Sequence, residues 1–220
     1  MKRTYGIILA VVIILGYQQA ALASTINLWD AFPDTQGDNG FYVYGYQSGR
    51  ATPYRPLADA GSYVFNTPNQ SCSVPLMGRT TNPWLYLHPA SGAQCGYVYG
   101  TEDIVLAWTV PDNINCNLSG RFESAGGGSI ISYIRINDST PVWTTPGFGG
   151  VGSGYNFNLT NVHLNKNDKL YFGVNMNGTD HYDTTIMRGT ILYNTVVPEP
   201  ATMVLFGLGG LVGALIRKKK

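Results

Sequence analysis

The feature that most constrains this chain is a two-residue alternation confined to short runs. Ile114-Asn115-Cys116-Asn117-Leu118 sets apolar residues at every second position, which in an extended strand places Ile114, Cys116 and Leu118 on one face. Phe41-Tyr42-Val43-Tyr44-Gly45-Tyr46 repeats the pattern, with Tyr42, Tyr44 and Tyr46 on one side and Phe41 and Val43 on the other. The first of these runs continues as a predicted strand over Ile114–Glu123, and further strands are predicted at Ile26–Trp29, Ser62–Asn66, Trp84–His88, Asp103–Val110, Ser129–Asn137, Tyr155–Leu159, Lys169–Asn175 and Thr185–Tyr193. Gly, Pro, Asn and Asp clusters divide them, among them Asp38-Asn39-Gly40, Gly126-Gly127-Gly128 and Asn137-Asp138. No segment between the two ends holds a helical period for three turns. The expected fold is all-β, a single β-sandwich or jelly-roll-like domain over residues 24–196. About 170 residues suffice for one sizeable core.

The two ends are of another kind. Met1 to Arg3 are basic at the start, Gly6 to Gly16 carry no charge, and Ala21-Leu22-Ala23 supplies small residues before Ser24. That is the layout of a signal peptide over residues 1–23, removed by signal peptidase. At the other end Ala201 to Ile216 is uncharged and, as a helix, reaches about 24 Å. This predicts a transmembrane helix over 201–216, short for a hydrocarbon layer of ~30 Å. Arg217, Lys218, Lys219 and Lys220 form a basic tail that stays cytoplasmic by the positive-inside rule. Together the ends place the central domain outside the cytoplasm.

The order Val197-Pro198-Glu199-Pro200-Ala201-Thr202, a short glycine-studded apolar helix and a basic terminus resembles the PEP-CTERM sorting signal of Gram-negative, exopolysaccharide-producing bacteria. The resemblance spans residues 197–220. It implies recognition of Pro198-Glu199-Pro200 by an exosortase, a membrane-embedded cysteine transpeptidase. The protein would then be anchored in the inner membrane as a precursor and passed to the outer envelope, cell surface or extracellular matrix. The two prolines hold the chain extended where it leaves the bilayer, which suits a protease cleft.

The second half of the domain has another resemblance. Ile134-Arg135-Ile136-Asn137-Asp138, then Asn165-Lys166-Asn167-Asp168-Lys169-Leu170-Tyr171-Phe172-Gly173-Val174, then Tyr182-Asp183-Thr184-Thr185 resemble the closing strands of carbohydrate-binding-module-like sandwiches in exported bacterial proteins. This bears on the fold more than on a ligand.

Charge and reactive residues narrow the function. Between Ser24 and Val197 eight cations face twelve anions, a formal −4, so there is no footprint for nucleic acid. Cys116 reads as a buried core residue, and Cys72 and Cys95, in loop-like sequence, are expected to form a disulfide in an oxidising compartment. His88, His163 and His181 lack metal spacing, and no nucleophile elbow precedes a helix, so no catalytic residue is assigned. A small secreted hydrolase is the least favoured reading. Asp34 and Asp38, in Asp34-Thr35-Gln36-Gly37-Asp38-Asn39-Gly40, offer oxygen ligands for calcium, although a plain hairpin connection explains the same residues.

The remaining signal is aromatic. Tyr42, Tyr44 and Tyr46, with Trp84 added, are candidates for stacking on the sugar rings of an exopolysaccharide. Their alternative role is packing in or over the core. The sequence therefore predicts a non-enzymatic envelope or matrix protein, either saccharide-binding or purely structural and adhesive.

Overall fold

A computed structural model describes residues 23–61, 64–66, 75–90, 102–178 and 183–195. The expected signal peptide (save Ala23), the Cys72–Cys95 pair, His181, Pro198-Glu199-Pro200, the 201–216 helix and the basic tail lie outside the described residues.

Fourteen strands follow one another: β1 Ala23–Asn27, β2 Phe41–Tyr46, β3 Tyr54–Pro56, β4 Ala58–Asp59, β5 Val64–Asn66, β6 Leu76–Arg79, β7 Leu85–His88, β8 Asp103–Thr109, β9 Ile114–Ser124, β10 Ile130–Ile136, β11 Trp143–Thr144, β12 Gly154–Leu164, β13 Lys169–Met176 and β14 Thr185–Thr195. The helical content among the described residues is one 3-10 turn, Asp38–Gly40. None of these residues belongs to a helix long and apolar enough to cross a membrane.

The strands form two sheets. One has eight strands in the order β12-β9-β14-β7-β6-β5-β4, with β1 paired to β14; the other has six in the order β11-β10-β13-β8-β2-β3. Every assigned pairing is antiparallel. From β7 onward the chain crosses from one sheet to the other at almost every connection, the short β11 excepted. The neighbours that β8, β9, β12, β13 and β14 find in the sheets are therefore distant in sequence, whereas β4 to β7 pair in chain order.

The alternation explains what lies between the sheets. Phe41, Val43, Ile104, Leu106, Trp108, Phe172 and Val174 point inward from the six-stranded sheet. They meet Leu85, Leu87, Leu118, Phe122, Phe157, Met187 and Ile191 of the other in a single core. Each large side chain buried this way contributes roughly 1.5–3 kcal/mol before conformational entropy is subtracted. Ring contacts across the gap, such as Phe157–Phe172 at 6.1 Å, tie the layers together. The expected β-sandwich is the fold observed. Cys116 is buried in this core at 3% exposure, as its alternation predicts, and carries a free thiol.

The main strands were legible in the sequence, and the departures have local causes. The first strand is Ala23–Asn27 rather than Ile26–Trp29, because Asn27 turns the chain by accepting the Trp29 N–H at Oδ1 (3.0 Å). Four short strands were missed: β3, β4, β6 and β11. β3 ends in Pro56 and survives as a strand because it lies at a sheet edge, where a missing donor costs nothing.

Candidate functional site

The six-stranded sheet has a second face, turned away from the core. Register across the sheet decides what it displays. In β2 the odd residues are buried and the even ones half-buried, so Tyr42, Tyr44 and Tyr46 share the outer face. Tyr46 is opposite Tyr54 on one side and Asp103 on the other; Tyr44 is opposite Val105, and Tyr42 opposite Ala107. Ala107 faces Tyr171 and Val105 faces Gly173 on β13, and Gly173 and Tyr171 in turn face Tyr133 and Arg135 on β10.

These residues make an outer cluster separate from the sandwich core, with Val105, Ala107, Tyr133 and Tyr171 buried and Tyr42, Tyr44, Tyr46 and Tyr54 packed against them. Tyr42 and Tyr44 stack at 5.9 Å, Tyr54 meets Tyr46 at 4.8 Å, and Tyr54 lies flat on Tyr171 at 4.7 Å and 8°. The Tyr133 ring occupies the space above Gly173, where an added Cβ would overlap it. Burial, more than any other influence, pushes the Tyr54 hydroxyl well above its ordinary range and the Tyr171 hydroxyl up to about 12, so both stay protonated at neutral pH.

Arg135 and Asp103 put charge into this aromatic surface. The Arg135 guanidinium lies over Tyr133 at 4.7 Å and over Tyr46 at 4.9 Å, within cation–π range of both rings. Asp103 is 7% exposed. Its Oδ2 accepts from the Tyr133 hydroxyl at 2.8 Å and its Oδ1 from the Asn175 amide at 2.6 Å. Burial pushes the Asp103 carboxyl up to about 6, outweighing those two hydrogen bonds and the neighbouring Arg135 charge, which hold it down. Around them opens a cleft of about 500 Å³ lined by Tyr46, Gln47, Asp103, Tyr133, Arg135 and Asn175, among others.

A carboxylate with a raised pKa in a cleft is also what a general base looks like. Its chain neighbour Glu102, however, lies beneath Gly45 on the core side and pairs with Arg55 at 2.5 Å. Strand alternation thus turns these two carboxylates to opposite faces, and both Asp103 oxygens are engaged as acceptors. The Arg55–Glu102 pair instead pins β3, and with it Tyr54, to the adjoining strands.

The tyrosines proposed from sequence come together, but Trp84 does not join them. It precedes β7 in the eight-stranded sheet, with the Arg188 guanidinium 5.9 Å from its ring centre and the Arg121–Glu123 ion pair lining the same small pocket. Tyr54, Tyr133, Arg135, Tyr171 and Asp103 were missed as site residues. The only available signal was the alternation of β8, β10 and β13, and it does not say which strands become neighbours.

The Asp34–Gly40 loop is held by its own side chains. Asp38 accepts from the Thr35 N–H at 2.8 Å and the Thr35 hydroxyl at 2.9 Å, and these bonds hold its carboxyl below the usual range. Among the described residues no three or more His, Cys, Asp or Glu side chains are grouped to hold a metal ion. His163 lies on the edge strand β12, paired through Nδ1 with Asn115 Oδ1 at 2.9 Å.

The comparison that decides the identity of the tail concerns its last 25 residues. Residues 196–220 match the PEP-CTERM protein-sorting motif. The match includes Pro198-Glu199-Pro200. No curated protein matches the chain. Among solved structures, the domain is similar to a family two carbohydrate esterase from Cellvibrio japonicus (12% identity, TM-score 0.36, 81% of this chain and 37% of that one). It is also similar to CBM51 from Clostridium perfringens GH95 in complex with methyl-galactose (10%, TM-score 0.37, 76% and 99%). A third likeness is to a carbohydrate binding module of family 29 (12%, TM-score 0.36, 79% and 90%). The chain spans 37% of the esterase and 29% of a Podospora anserina mannanase that it also resembles. At such identities and TM-scores these likenesses say nothing of what this chain binds.

Proposed function

We propose that this protein is exported by way of a cleaved signal peptide, held in the inner membrane by its 201–216 helix, and processed by an exosortase at Pro198-Glu199-Pro200. Its destination is the outer envelope, cell surface or extracellular matrix, where its domain binds exopolysaccharide without catalysing a reaction. The match of residues 196–220 to the sorting motif supports the route. Mass spectrometry of the protein recovered from envelope and medium fractions tests it: a mature C-terminus upstream of Arg217 is expected, and an intact Lys220 there overturns the sorting reading.

One observation carries the binding reading. The outer face of the six-stranded sheet gathers half-buried tyrosines beside a cleft that contains one cation and one buried carboxylate. Partly exposed aromatic rings next to convergent polar groups are suited to sugars, which present C–H faces and hydroxyl edges together. Affinity electrophoresis of the full-length chain through gels containing exopolysaccharide tests it. Retardation that falls on Tyr46→Ala is expected; migration unaffected by any polysaccharide overturns the reading.

A purely structural or adhesive role is the second reading, favoured by the way Tyr42, Tyr44, Tyr54 and Tyr171 already satisfy one another by stacking.

A further inference from the structure

The two sheets end together at one side of the sandwich. β12 is the outermost strand of the eight-stranded sheet and β11 that of the six-stranded one. Trp143 of β11 lies 5.7 Å from Phe157 of β12, so one edge is stacked over the other. β12 runs for 11 residues, Gly154–Leu164, and has a neighbour, β9, on one side only. On its other side alternate N–H and C=O groups have no strand to pair with among the described residues, a template for another strand. The other outer strands are short: β4 and β11 have 2 residues, β3 has 3 and β1 has 5.

Apolar side chains gather at this edge. Three of the four large hydrophobic residues exposed among the described residues are here: Val142 beside β11, Val151 in the turn leading into β12, and Tyr155 within β12. Trp143, Leu159 and Val162 are only partly covered by the core they pack against. Charge is absent. From Ser139 to Asn165 there is no Asp, Glu, Lys or Arg, the longest such run in the domain, and this one run supplies both edges. Edge strands that stay unpaired usually carry a lysine, a proline or an inward charge, and β12 has none of these. It does have a bulge: the register shifts between Leu159 and Val162, where Asn161 takes φ 56°. The bulge confines regular pairing to Gly154–Leu159, and His163, held by Asn115, lies beyond it.

The missing charge favours a second copy of this chain as the occupant. Two domains of eight cations and twelve anions each repel one another, and an uncharged surface is where they approach at least cost. A patch shared by two copies must also complement itself. An antiparallel strand pair about a two-fold axis does so: neutral Asn156 and Asn158 meet each other on the outer face, and apolar Tyr155, Phe157 and Leu159 on the inner one. At about 3.4 Å per residue β12 is about 37 Å long, and an edge of that length two layers deep can supply the ~800 Å² per partner of a stable interface.

We propose that this edge joins two copies of the chain. β12 pairs antiparallel with β12 of the second copy over Gly154–Leu159, and the two eight-stranded sheets become one continuous sheet. The two-fold axis passes through the middle of that segment, which brings Asn158 close to its own counterpart. Val142, Val151 and Tyr155 are covered in the pair.

The test is analytical ultracentrifugation of the full-length chain in density-matched detergent micelles over a range of concentrations. Asn158→Lys and Asn158→Glu each set like charges against one another in the pair. Asn158 is exposed, so neither change disturbs the core, and thermal melting checks that both variants remain folded. A dimer is expected for the wild type, with about a tenfold weaker association for each variant alone. Mixing the two variants in equal amounts should restore it, because lysine then faces glutamate. A monomer at every concentration overturns the proposal. A dimer that both variants leave unchanged overturns it too, because the contact then lies elsewhere, for instance in the 201–216 helix. So does a mixture that associates no better than its components, since the two Asn158 positions then do not face each other.

Discussion

The Tyr133 hydroxyl donates a 2.8 Å hydrogen bond to Asp103 Oδ2, joining two buried side chains 30 residues apart in sequence and two strands apart in the sheet. The bond is one of two that keep a buried carboxylate tolerable, the other coming from Asn175. Removing it by Tyr133→Phe leaves an acceptor without its donor, so stability falls by about 1–3 kcal/mol at pH 7.5. At pH 4.5 the carboxyl is mostly protonated and the loss shrinks. Urea titration of both proteins at the two pH values measures the difference, and an equal loss at both would contradict the assignment.

Asp103 also makes a pH-dependent contribution of its own. Its carboxyl is pushed up to about 6 in the folded protein from an ordinary 3.8, so the native state binds the proton more tightly than the unfolded chain. The stabilisation is therefore present below about pH 4, is lost as pH rises through 6, and does not change further above that. A shift of this size corresponds to roughly 2–3 kcal/mol at most. Asp103→Asn cannot titrate, so the wild type should lose stability relative to this variant between pH 4 and 7.5. Parallel melts across that range decide it.

Gly173 lies beneath the Tyr133 ring, where a side chain would collide with it. Gly173→Ala should cost about 1–3 kcal/mol by overpacking. The same change in a Tyr133→Ala background should cost much less, because the ring that collides is gone. A double-mutant cycle by chemical denaturation measures that coupling, and additivity would show that the ring is not the cause.

Trp84 and Tyr46 lie in different sheets, so they should separate in a binding assay. Tyr46→Ala is expected to weaken polysaccharide retardation severalfold, because its ring lines the cleft and carries Arg135. Trp84→Ala should leave retardation unchanged.

The Cys116 thiol should be inert in the native protein. Burial pushes its pKa up to about 11, and the residue is 3% exposed, so neither thiolate nor access is available. Peptide mapping after iodoacetamide treatment should find Cys116 unmodified until denaturant is added. Rapid native labelling would refute its burial.

What was legible in the sequence depended on short-range order. Alternation in β2 assigned Phe41 and Val43 to the core and Tyr42, Tyr44 and Tyr46 to the other face, because the pleat depends only on a residue and its immediate neighbours. The Cys116 position followed in the same way, and the tail was readable because a sorting motif is a linear signal. Trp84 was grouped with the tyrosines on residue type alone, and nothing local could show that it belongs to the other sheet.

The site itself was decided by tertiary structure. Asn175 reaches Asp103 across 72 residues, and Arg135 closes over Tyr46 from a strand that β8 and β13 separate from β2. Strand order in a sandwich is chosen by how both sheets bury their inner faces together, a property of the whole chain. The sequence by itself therefore determined which residues face outward and that residues 196–220 form a sorting motif. Only the packing of the two sheets decided which of those outward residues meet, and so made a cleft out of a pattern of alternating tyrosines.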